Sequence, residues 1–156
     1  VRGMNVCQGY YKNPEANAQL FTSDGWMHTG DLGTLDRHNN LFIRGRSKTM
    51  ILSSNGQNIY PEEIEEKINS FSLVAESLVV RRADRLVALI VPDPEVAQRE
   101  GLSPEAAWQR IEEFRAQLNN QVAAYEKVTR FVLQEEPFVK TPKRSIKRFL
   151  YEEKTN

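Results

Sequence analysis

The sequence contains few of the residues that carry common catalytic or metal chemistry. Its 156 residues include one cysteine, Cys7, and two histidines, His28 and His38. A single cysteine cannot form an internal disulfide, which fits a reducing compartment. Neither histidine has a cysteine or a carboxylate at the spacing of metal ligands, so we expect no metal site in this chain.

Long apolar runs and a surplus of one charge are also absent. No run reaches the roughly 18 apolar residues of a membrane span, and the first residues lack the apolar core of a signal peptide. The 21 Lys and Arg residues balance 21 Asp and Glu residues, so no overall field attracts nucleic acid. We expect a soluble, cytoplasmic protein without a transmembrane segment or a nucleic-acid partner. Because it begins at Val1, we expect it to be part of a longer protein.

The motifs of several enzyme classes are missing as well. There is no Gly-x-Ser-x-Gly, Gly-x-Gly-x-x-Gly or Gly-x-x-x-x-Gly-Lys segment. This speaks against a hydrolase, a dinucleotide-binding dehydrogenase and a self-sufficient P-loop enzyme. What is present, 40% hydrophobic and 27% charged residues, is typical of a packed globular protein.

Residues 1–47 are rich in turn-forming residues, with short apolar runs between the turns. The runs at residues 32–35 and 41–44 predict a hairpin connected by residues 36–40, and residues 27–29 are a further candidate strand. So small a sheet would leave unpaired edges. We therefore interpret residues 1–47 as the β-rich end of a larger N-terminal domain.

Residues 48–140 follow a different pattern, in which strands and helices alternate. Pro61 and the pair Ser103 and Pro104 mark the starts of two helices. The predicted strands are residues 50–52, 73–80, 86–91 and 131–133. This order predicts an α+β fold, a small two-layer domain with a three-stranded sheet plus a hairpin and with helices packed on the sheet.

Residues 137–156 form a basic tail with little apolar periodicity, of which residues 141–156 follow the α+β part. Composition alone favours a solvated terminus for such a segment. Its cations are Lys140, Lys143, Arg144, Lys147, Arg148 and Lys154.

Two groups of residues are candidate ligand contacts. Asp31 follows Gly30 in a turn-rich segment, and its two carboxylate oxygens can hold a vicinal diol such as ribose or can simply support the turn. Arg44, Arg46 and Lys48 concentrate positive charge where the β-rich part meets the α+β part. These cations can bind phosphate, act at a hinge or be ordinary surface charge.

Four segments, read in order, resemble the signatures of the AMP-forming adenylating enzymes. That family includes acyl-CoA synthetases, nonribosomal peptide adenylation domains and firefly-type luciferases. The segments are residues 9–15, 24–31, 45–48 with Ile51, and 56–65; together with the tail they cover essentially the whole chain. The Trp-Met-His-Thr-Gly-Asp and Arg-Gly-Arg-Ser-Lys segments are most similar to those of long-chain fatty acyl-CoA synthetases.

The resemblance implies a two-step reaction. A fatty acid or other carboxylate attacks ATP to give acyl-AMP and pyrophosphate, and the thiol of CoA then displaces AMP. Asp31 would bind the ribose hydroxyls and Arg46 the nucleotide, Lys48 would be the hinge of a mobile small domain, and Gly56 would lie in the loop that lines the CoA channel. Mg²⁺ would be bound mainly by the protein's own upstream N-terminal domain. That domain would also carry the family's Ser/Thr/Gly-rich phosphate loop and the acyl pocket, so the isolated piece is expected to be nearly inactive.

The tail departs from the family pattern at one position. Thr141 and Arg148 match the pattern, but Ser145 stands where the family has its catalytic lysine. A serine hydroxyl cannot offset the negative charge that develops at the phosphate. In an extended tail, Lys143 and Lys147 would share a face with Ser145, each roughly 6.6 Å from it along the chain. We rank Lys147 first as the substitute catalytic residue, because it keeps the approach from the Arg148 side, and Lys143 second.

Two other functions are compatible with these residues. A non-catalytic binding or regulatory module could retain the fold; Ser145 favours that interpretation, and the intact Asp31, Arg46 and Gly56 signatures oppose it. The enzyme could also adenylate an acid for a carrier protein instead of CoA.

Overall fold

The computed structural model describes residues 1–152 and divides into two compact units, Val1–Lys48 and Thr49–Asn156. We refer to them as the first unit and the second unit. The last four positions of the predicted tail, which include Lys154, lie outside the described residues. No helix in residues 1–152 is long and apolar enough to cross a membrane.

The first unit contains one helix, α1 (Pro14–Leu20), and two strands, β1 (Asp31–Leu35) and β2 (Leu41–Arg46). Helix α1 begins where the side chain of Asn13 accepts a hydrogen bond from the amide of Ala16 at 3.1 Å. Pro14 occupies the first turn, where a missing amide costs nothing. The sequence analysis did not predict this helix, because its seven residues bury no side chain and show no apolar face.

Strands β1 and β2 pair antiparallel, which confirms the predicted hairpin. Their register places Asp31 opposite Arg46. The connecting turn is held by the carboxylate of Asp36, which accepts hydrogen bonds from the amides of His38 and Asn40 and from the side chain of Asn40. The side-chain hydrogen bond from Asn40 is the main reason that the pKa of Asp36 lies below its ordinary value.

The first unit has no buried residue anywhere in Val1–Lys48. The strand predicted at residues 27–29 is not formed, and Met27 makes only an isolated bridge with Phe21. The hairpin exposes large apolar side chains to solvent; more than half of the accessible surface remains exposed at Leu35, Leu41, Phe42 and Ile43.

The second unit contains all the other helices and strands. Its two principal helices begin as predicted, one at Pro61 and the other after Ser103, whose hydroxyl accepts a hydrogen bond from the amide of Ala106. A short helix capped by Asp93 was not predicted. The elements are β3 (Ile51–Leu52), β4 (Asn58–Ile59), α2 (Pro61–Asn69), β5 (Val74–Arg82), β6 (Arg85–Pro92), α3 (Pro94–Arg99), α4 (Pro104–Asn119) and β7 (Val128–Leu133).

The sheet of the second unit has the order β5-β6-β7, with β5 and β6 antiparallel and β6 and β7 parallel. Strands β3 and β4 form a separate antiparallel pair. Residues 86–91 of the central strand are all buried, which explains why they form an uninterrupted apolar run in the sequence. The three-stranded sheet, the additional strand pair and the helices confirm the predicted α+β fold.

The two faces of this sheet are covered by different parts of the chain. Helices α2 and α4 pack Ile64, Ile68, Ile111 and Leu118 against one face, as predicted. The other face, made of Leu78, Val80, Val87, Leu89 and Val91, is covered by Phe138, Ile146 and Tyr151 from the tail.

The expectation of a solvated tail is therefore wrong for residues 137–152. Phe138 is 4% exposed, and its ring meets the ring of Tyr151 edge to face with centroids 5.0 Å apart. Ile146 packs against the same cluster. Burial of these three side chains outweighs the basic composition, because a few apolar side chains can anchor a segment whose cations remain at its surface.

Candidate functional site

The predicted nucleotide contacts of the first unit, Asp31 and Arg46, lie side by side. Arg46 Nε is 2.8 Å from Asp31 Oδ1, and Arg46 Nη1 donates to the carbonyl of Thr29 at 3.2 Å. Their side chains are 31% and 61% exposed, so the ion pair adds little to stability. It does hold a carboxylate and a guanidinium next to each other at a surface that a ligand can reach.

A cavity of about 420 Å³ lies beside this pair, within the first unit. Its walls include His28, Gly30, Asp31 and Ser47. Gly30 has φ 77°, a left-handed conformation that a side chain would strain. The carbonyl of Gly30 accepts a hydrogen bond from the amide of Ser47 at 2.8 Å. This bond joins the residue before β1 to the residue after β2, next to Asp31.

Gly56 lies in the turn that connects β3 to β4. The turn is held by Ser53, whose carbonyl accepts from the amide of Gly56 at 3.0 Å and whose hydroxyl accepts from the amide of Gln57 at 2.8 Å. Gly56 has φ 80°, and a Cβ added there would meet no atom within 4 Å. In this unit the backbone conformation, not lack of space, therefore requires glycine.

A second cavity, of about 230 Å³, lies beside the β3–β4 turn within the second unit. Its walls carry three cations, Arg81, Arg85 and Lys127, the aromatic ring of Tyr125 and one acid, Asp84, which pairs with Arg81. Arg81 donates to the carbonyl of Leu52 at 2.9 Å, which fixes its guanidinium against the turn. The sequence analysis missed this cavity, although the two arginines flanking a tight turn are a signal that could have been noticed.

The tail is not extended around Ser145, so the geometric premise for comparing its lysines was wrong. Residues 141–145 form a turn in which the amide of Thr141 donates to the carbonyl of Ser145 at 2.8 Å, and Arg144 has φ 61°. Lys143 lies inside this turn and is exposed. Lys147 lies beyond it, is half-buried, and donates its amide to the carbonyl of Val139 at 2.9 Å.

Arg148 joins the tail to a buried carboxylate of helix α2. Its Nη2 lies 2.5 Å from Glu65 Oε2, and the Glu65 Oε1 accepts from the amide of Val79 at 2.6 Å. Burial raises the pKa of Glu65 above its ordinary value, and the charge of Arg148 acts in the opposite direction. The sequence analysis used Arg148 only as a family match and did not predict its partner.

Two further predicted features can be located. The boundary between the two compact units falls directly after Lys48, the predicted hinge. Among residues 1–152, no group of three or more His, Cys, Asp or Glu side chains is placed to hold a metal ion.

Comparison with known proteins identifies the family. Residues 48–155 match the family model of the AMP-binding enzyme C-terminal domain. The chain belongs to the AMP-forming adenylating enzymes. A long-chain-fatty-acid–CoA ligase of Mycobacterium tuberculosis is 41% identical over 96 residues, which are 61% of this chain and 16% of the ligase.

Two other adenylating enzymes show how far the similarity extends. A chloroplastic long-chain-fatty-acid–acyl-carrier-protein ligase of Arabidopsis thaliana is 40% identical over 119 residues, 69% of this chain and 16% of that protein. The o-succinylbenzoate CoA synthetase of Bacillus subtilis, solved with its acyl-adenylate intermediate, superposes with a TM-score of 0.77 at 27% identity, over 96% of this chain and 29% of that one. This adenylating-enzyme chain thus spans about a sixth of the length of the two curated relatives.

Proposed function

We propose that the chain is the carboxy-terminal portion of an ATP-dependent acyl-CoA synthetase that converts a long-chain fatty acid, ATP and CoA into acyl-CoA, AMP and pyrophosphate. The observation that carries the proposal is the Asp31–Arg46 pair at the edge of a cavity. A carboxylate can accept both hydroxyl hydrogens of a ribose, and the adjacent guanidinium can bind the nucleotide. The ligase relatives support the same assignment.

The cavity of the second unit supports a role in thiol delivery. CoA ends in a phosphorylated adenosine diphosphate, which is anionic and carries a purine ring. Arg85 and Lys127 can bind its phosphates, and Tyr125 can contact its base. The Gly56 turn at the cavity's edge would then line the channel through which the thiol reaches the acyl-adenylate.

The hinge and the tail complete the proposed reaction cycle. The second unit would swing about Lys48 between adenylation and thioester formation. During adenylation, Lys147 would supply the positive charge at the phosphate that Ser145 cannot supply. Lys147 is favoured because it follows the turn and adjoins the anchored Arg148, whereas Lys143 is exposed within the turn.

The remaining parts of the site would come from an upstream N-terminal domain. The exposed apolar side chains of the β1–β2 hairpin would pack against that domain. The same domain would supply the acyl pocket and the principal Mg²⁺ ligands, and we expect the whole enzyme to act in the cytoplasm.

The test of nucleotide binding uses pyrophosphate exchange by the full-length protein. Asp31→Asn should lower kcat/KM for ATP about 10- to 100-fold, because a charged hydrogen-bond acceptor is lost. Asp24→Asn is the matched control, since Asp24 is also an exposed acid of the first unit and its carboxylate accepts from the hydroxyl of Thr22. Equal effects of the two substitutions would contradict the role of Asp31.

The tail residues are tested in the same assay. Lys147→Ala should reduce the adenylation rate strongly and Lys143→Ala weakly. If Lys147→Ala has no effect, Lys147 does not act at the phosphate. If wild-type protein forms no acyl-AMP yet binds an acyl-AMP analogue, the alternative of a non-catalytic binding module, which Ser145 favours, replaces the enzymatic proposal.

The thiol acceptor has a second candidate, because one of the relatives is a carrier-protein ligase. Lys127→Ala should raise the KM for CoA while leaving pyrophosphate exchange unchanged, since the cavity would act only in the second step. An enzyme that transfers the acyl group to a carrier protein but not to CoA would favour the carrier-protein alternative.

A further inference from the structure

Four side chains of the second unit form a continuous polar chain from its first residue to the tail. Thr49 Oγ1 donates to Glu62 Oε1 at 2.5 Å, and Glu62 Oε1 lies 3.7 Å from Arg148 Nη2. The same nitrogen lies 2.5 Å from Glu65 Oε2. We call Thr49, Glu62, Glu65 and Arg148 the Arg148 network. It connects helix α2 with both ends of the second unit's described chain.

The burial of the network is unusual for charged groups. The side chains of Arg148 and Glu65 are 16% and 11% exposed, and that of Glu62 is 33% exposed. Among residues 1–152, no donor reaches the buried Oε2 of Glu62. Buried ion pairs seldom stabilise a protein more than well-packed apolar side chains would. What a planar guanidinium does supply is a fixed direction for the segment that carries it.

The fixed direction of the guanidinium matters because of where Arg148 lies in the chain. Arg148 directly follows Lys147 and opens a short 3-10 turn, Arg148–Leu150. The hydrophobic effect that buries the tail is non-directional, whereas a contact between a guanidinium and a carboxylate has a fixed geometry. On one side of the turn at residues 141–145 Lys140 pairs with Glu76, and on the other side Arg148 pairs with Glu65. The second anchor belongs to the polar chain that includes Thr49.

We infer that Arg148 is a positioning residue that couples the tail to the hinge. Through Glu62 it ties the segment carrying Lys147 to Thr49, the residue that follows the predicted hinge Lys48. The start of the second unit and its tail then turn as one body, and Lys147 arrives at the phosphate in a fixed orientation. This inference rests on the proposed function for the hinge and for Lys147.

The coupling itself is tested without any measurement of activity. Thr49→Val in the full-length protein removes one hydroxyl and its hydrogen bond to Glu62. We expect the tail amides, including that of Lys147, to exchange with deuterium about fivefold faster, because one hydrogen bond of ordinary strength is lost from the network.

The control removes a comparable hydrogen bond at the opposite end of α2. Ser70→Ala deletes the contact of Ser70 Oγ with the carbonyl of Lys67, which measures 2.7 Å. Exchange in the tail should not change in this variant. Unchanged tail exchange in Thr49→Val, or an equal increase in Ser70→Ala, would overturn the coupling.

A double substitution separates positioning from stability. Arg148→Met with Glu65→Gln removes both charges, keeps apolar volume in the tail, and retains an oxygen that accepts from the amide of Val79. Such neutral replacement is expected to leave the unfolding midpoint near that of the wild type. Because misplacement of a catalytic group by about 1 Å can cost roughly 100-fold, we expect kcat of adenylation to fall 10- to 100-fold with the KM for ATP unchanged.

The outcomes distinguish this inference from the proposed function. A kcat equal to that of the wild type in the double variant would overturn the positioning role of Arg148. It would do so even if Thr49→Val speeds deuterium exchange in the tail and thus supports coupling between hinge and tail. If Lys147→Ala adenylates normally, the proposed role of Lys147 fails, and positioning of that lysine fails with it. The Thr49→Val exchange experiment still decides whether hinge and tail are coupled.

Discussion

The two units of this chain hold their candidate site residues by different physical means. In the first unit no residue is buried, and Asp31 and Arg46 meet because a register shift between Leu32 and Gly33 of the hairpin sets them opposite each other. In the second unit Arg148 meets Glu65 because the tail is packed onto a sheet with apolar cores on both faces. Changes to single contacts should therefore have local effects in the first unit and cooperative effects in the second.

The largest effect should come from breaking the buried ion pair of the second unit. Arg148→Ala leaves Glu65 buried without its cation, and we expect the free energy of unfolding to fall by about 3–5 kcal/mol. The measurement is urea unfolding of the full chain, followed by the fluorescence of Trp108 in a Trp26→Phe background that removes the other tryptophan.

An exposed ion pair of the same unit is the control for this prediction. Arg110 Nη1 lies 3.0 Å from Glu100 Oε2, with side chains 54% and 38% exposed. Arg110→Ala should cost less than about 1 kcal/mol. Similar losses in both variants would mean that Arg148 is not paired in a buried environment.

A matched pair of isoleucines compares the two units directly. Ile111 on α4 is fully buried, whereas Ile43 on β2 is 60% exposed. Ile111→Ala should lower the free energy of unfolding by about 2–5 kcal/mol, and Ile43→Ala should change it by about 0.5 kcal/mol or less. In urea, Trp108 fluorescence follows Ile111→Ala as above, and Trp26 fluorescence in a Trp108→Phe background follows Ile43→Ala. A large loss in Ile43→Ala would show that the hairpin contributes to a core within this chain.

The two units should also respond to pH in opposite directions. Burial raises the pKa of Glu65 above 4.5. Between the unfolded-state and folded-state pKa values, the folded second unit therefore holds a proton on Glu65 that the unfolded chain has lost. Its free energy of unfolding should therefore fall as the pH rises from about 4.5 through the folded-state pKa of Glu65, and Glu65→Gln should abolish that fall.

The corresponding group of the first unit is Asp36, whose pKa is lowered below 3.8 by its hydrogen bond from Asn40. Its stabilising effect is complete above the unfolded value and is lost as the pH falls through its folded-state pKa. NMR titration should give midpoints below 3.8 for Asp36 and above 4.5 for Glu65. A Glu65 midpoint below 4.5 would mean that the charge of Arg148 outweighs burial.

The smallest effect concerns the turns of the two hairpins. Ala83 between β5 and β6 has φ 45°, which disfavours any side chain with an ordinary Cβ, whereas Asn39 in the first unit has φ 61°, which asparagine tolerates. Ala83→Gly should raise the free energy of unfolding by about 0.5–1 kcal/mol. Asn39→Gly should change it little. A loss of stability in Ala83→Gly would mean that Ala83 makes contacts that outweigh its strain.

The features that the sequence analysis predicted correctly are those encoded by neighbouring residues. Pro61 and Ser103 predict their helices because proline at the first helical position and a capping hydroxyl both act within the first turn. The apolar run at residues 86–91 indicates a strand buried on both faces. Helices α1 and α3 were not predicted, because their seven and six residues, respectively, are too few to show an apolar periodicity.

Sequence by itself determined the α+β fold and the β1–β2 hairpin, because both follow from local patterns of apolar and turn-forming residues. The turn alone does not pair Asp31 with Arg46, since that pairing depends on the register shift between Leu32 and Gly33. Only the tertiary structure decided that the tail covers the sheet, that residues 141–145 turn, and that Arg148 meets Glu65, a partner 83 positions away. The physical reason is twofold. The local sequence pattern carries no information about residues so far apart in the chain. In addition, an arginine is expected at the surface unless its charge is paired, and the sequence does not show that pairing.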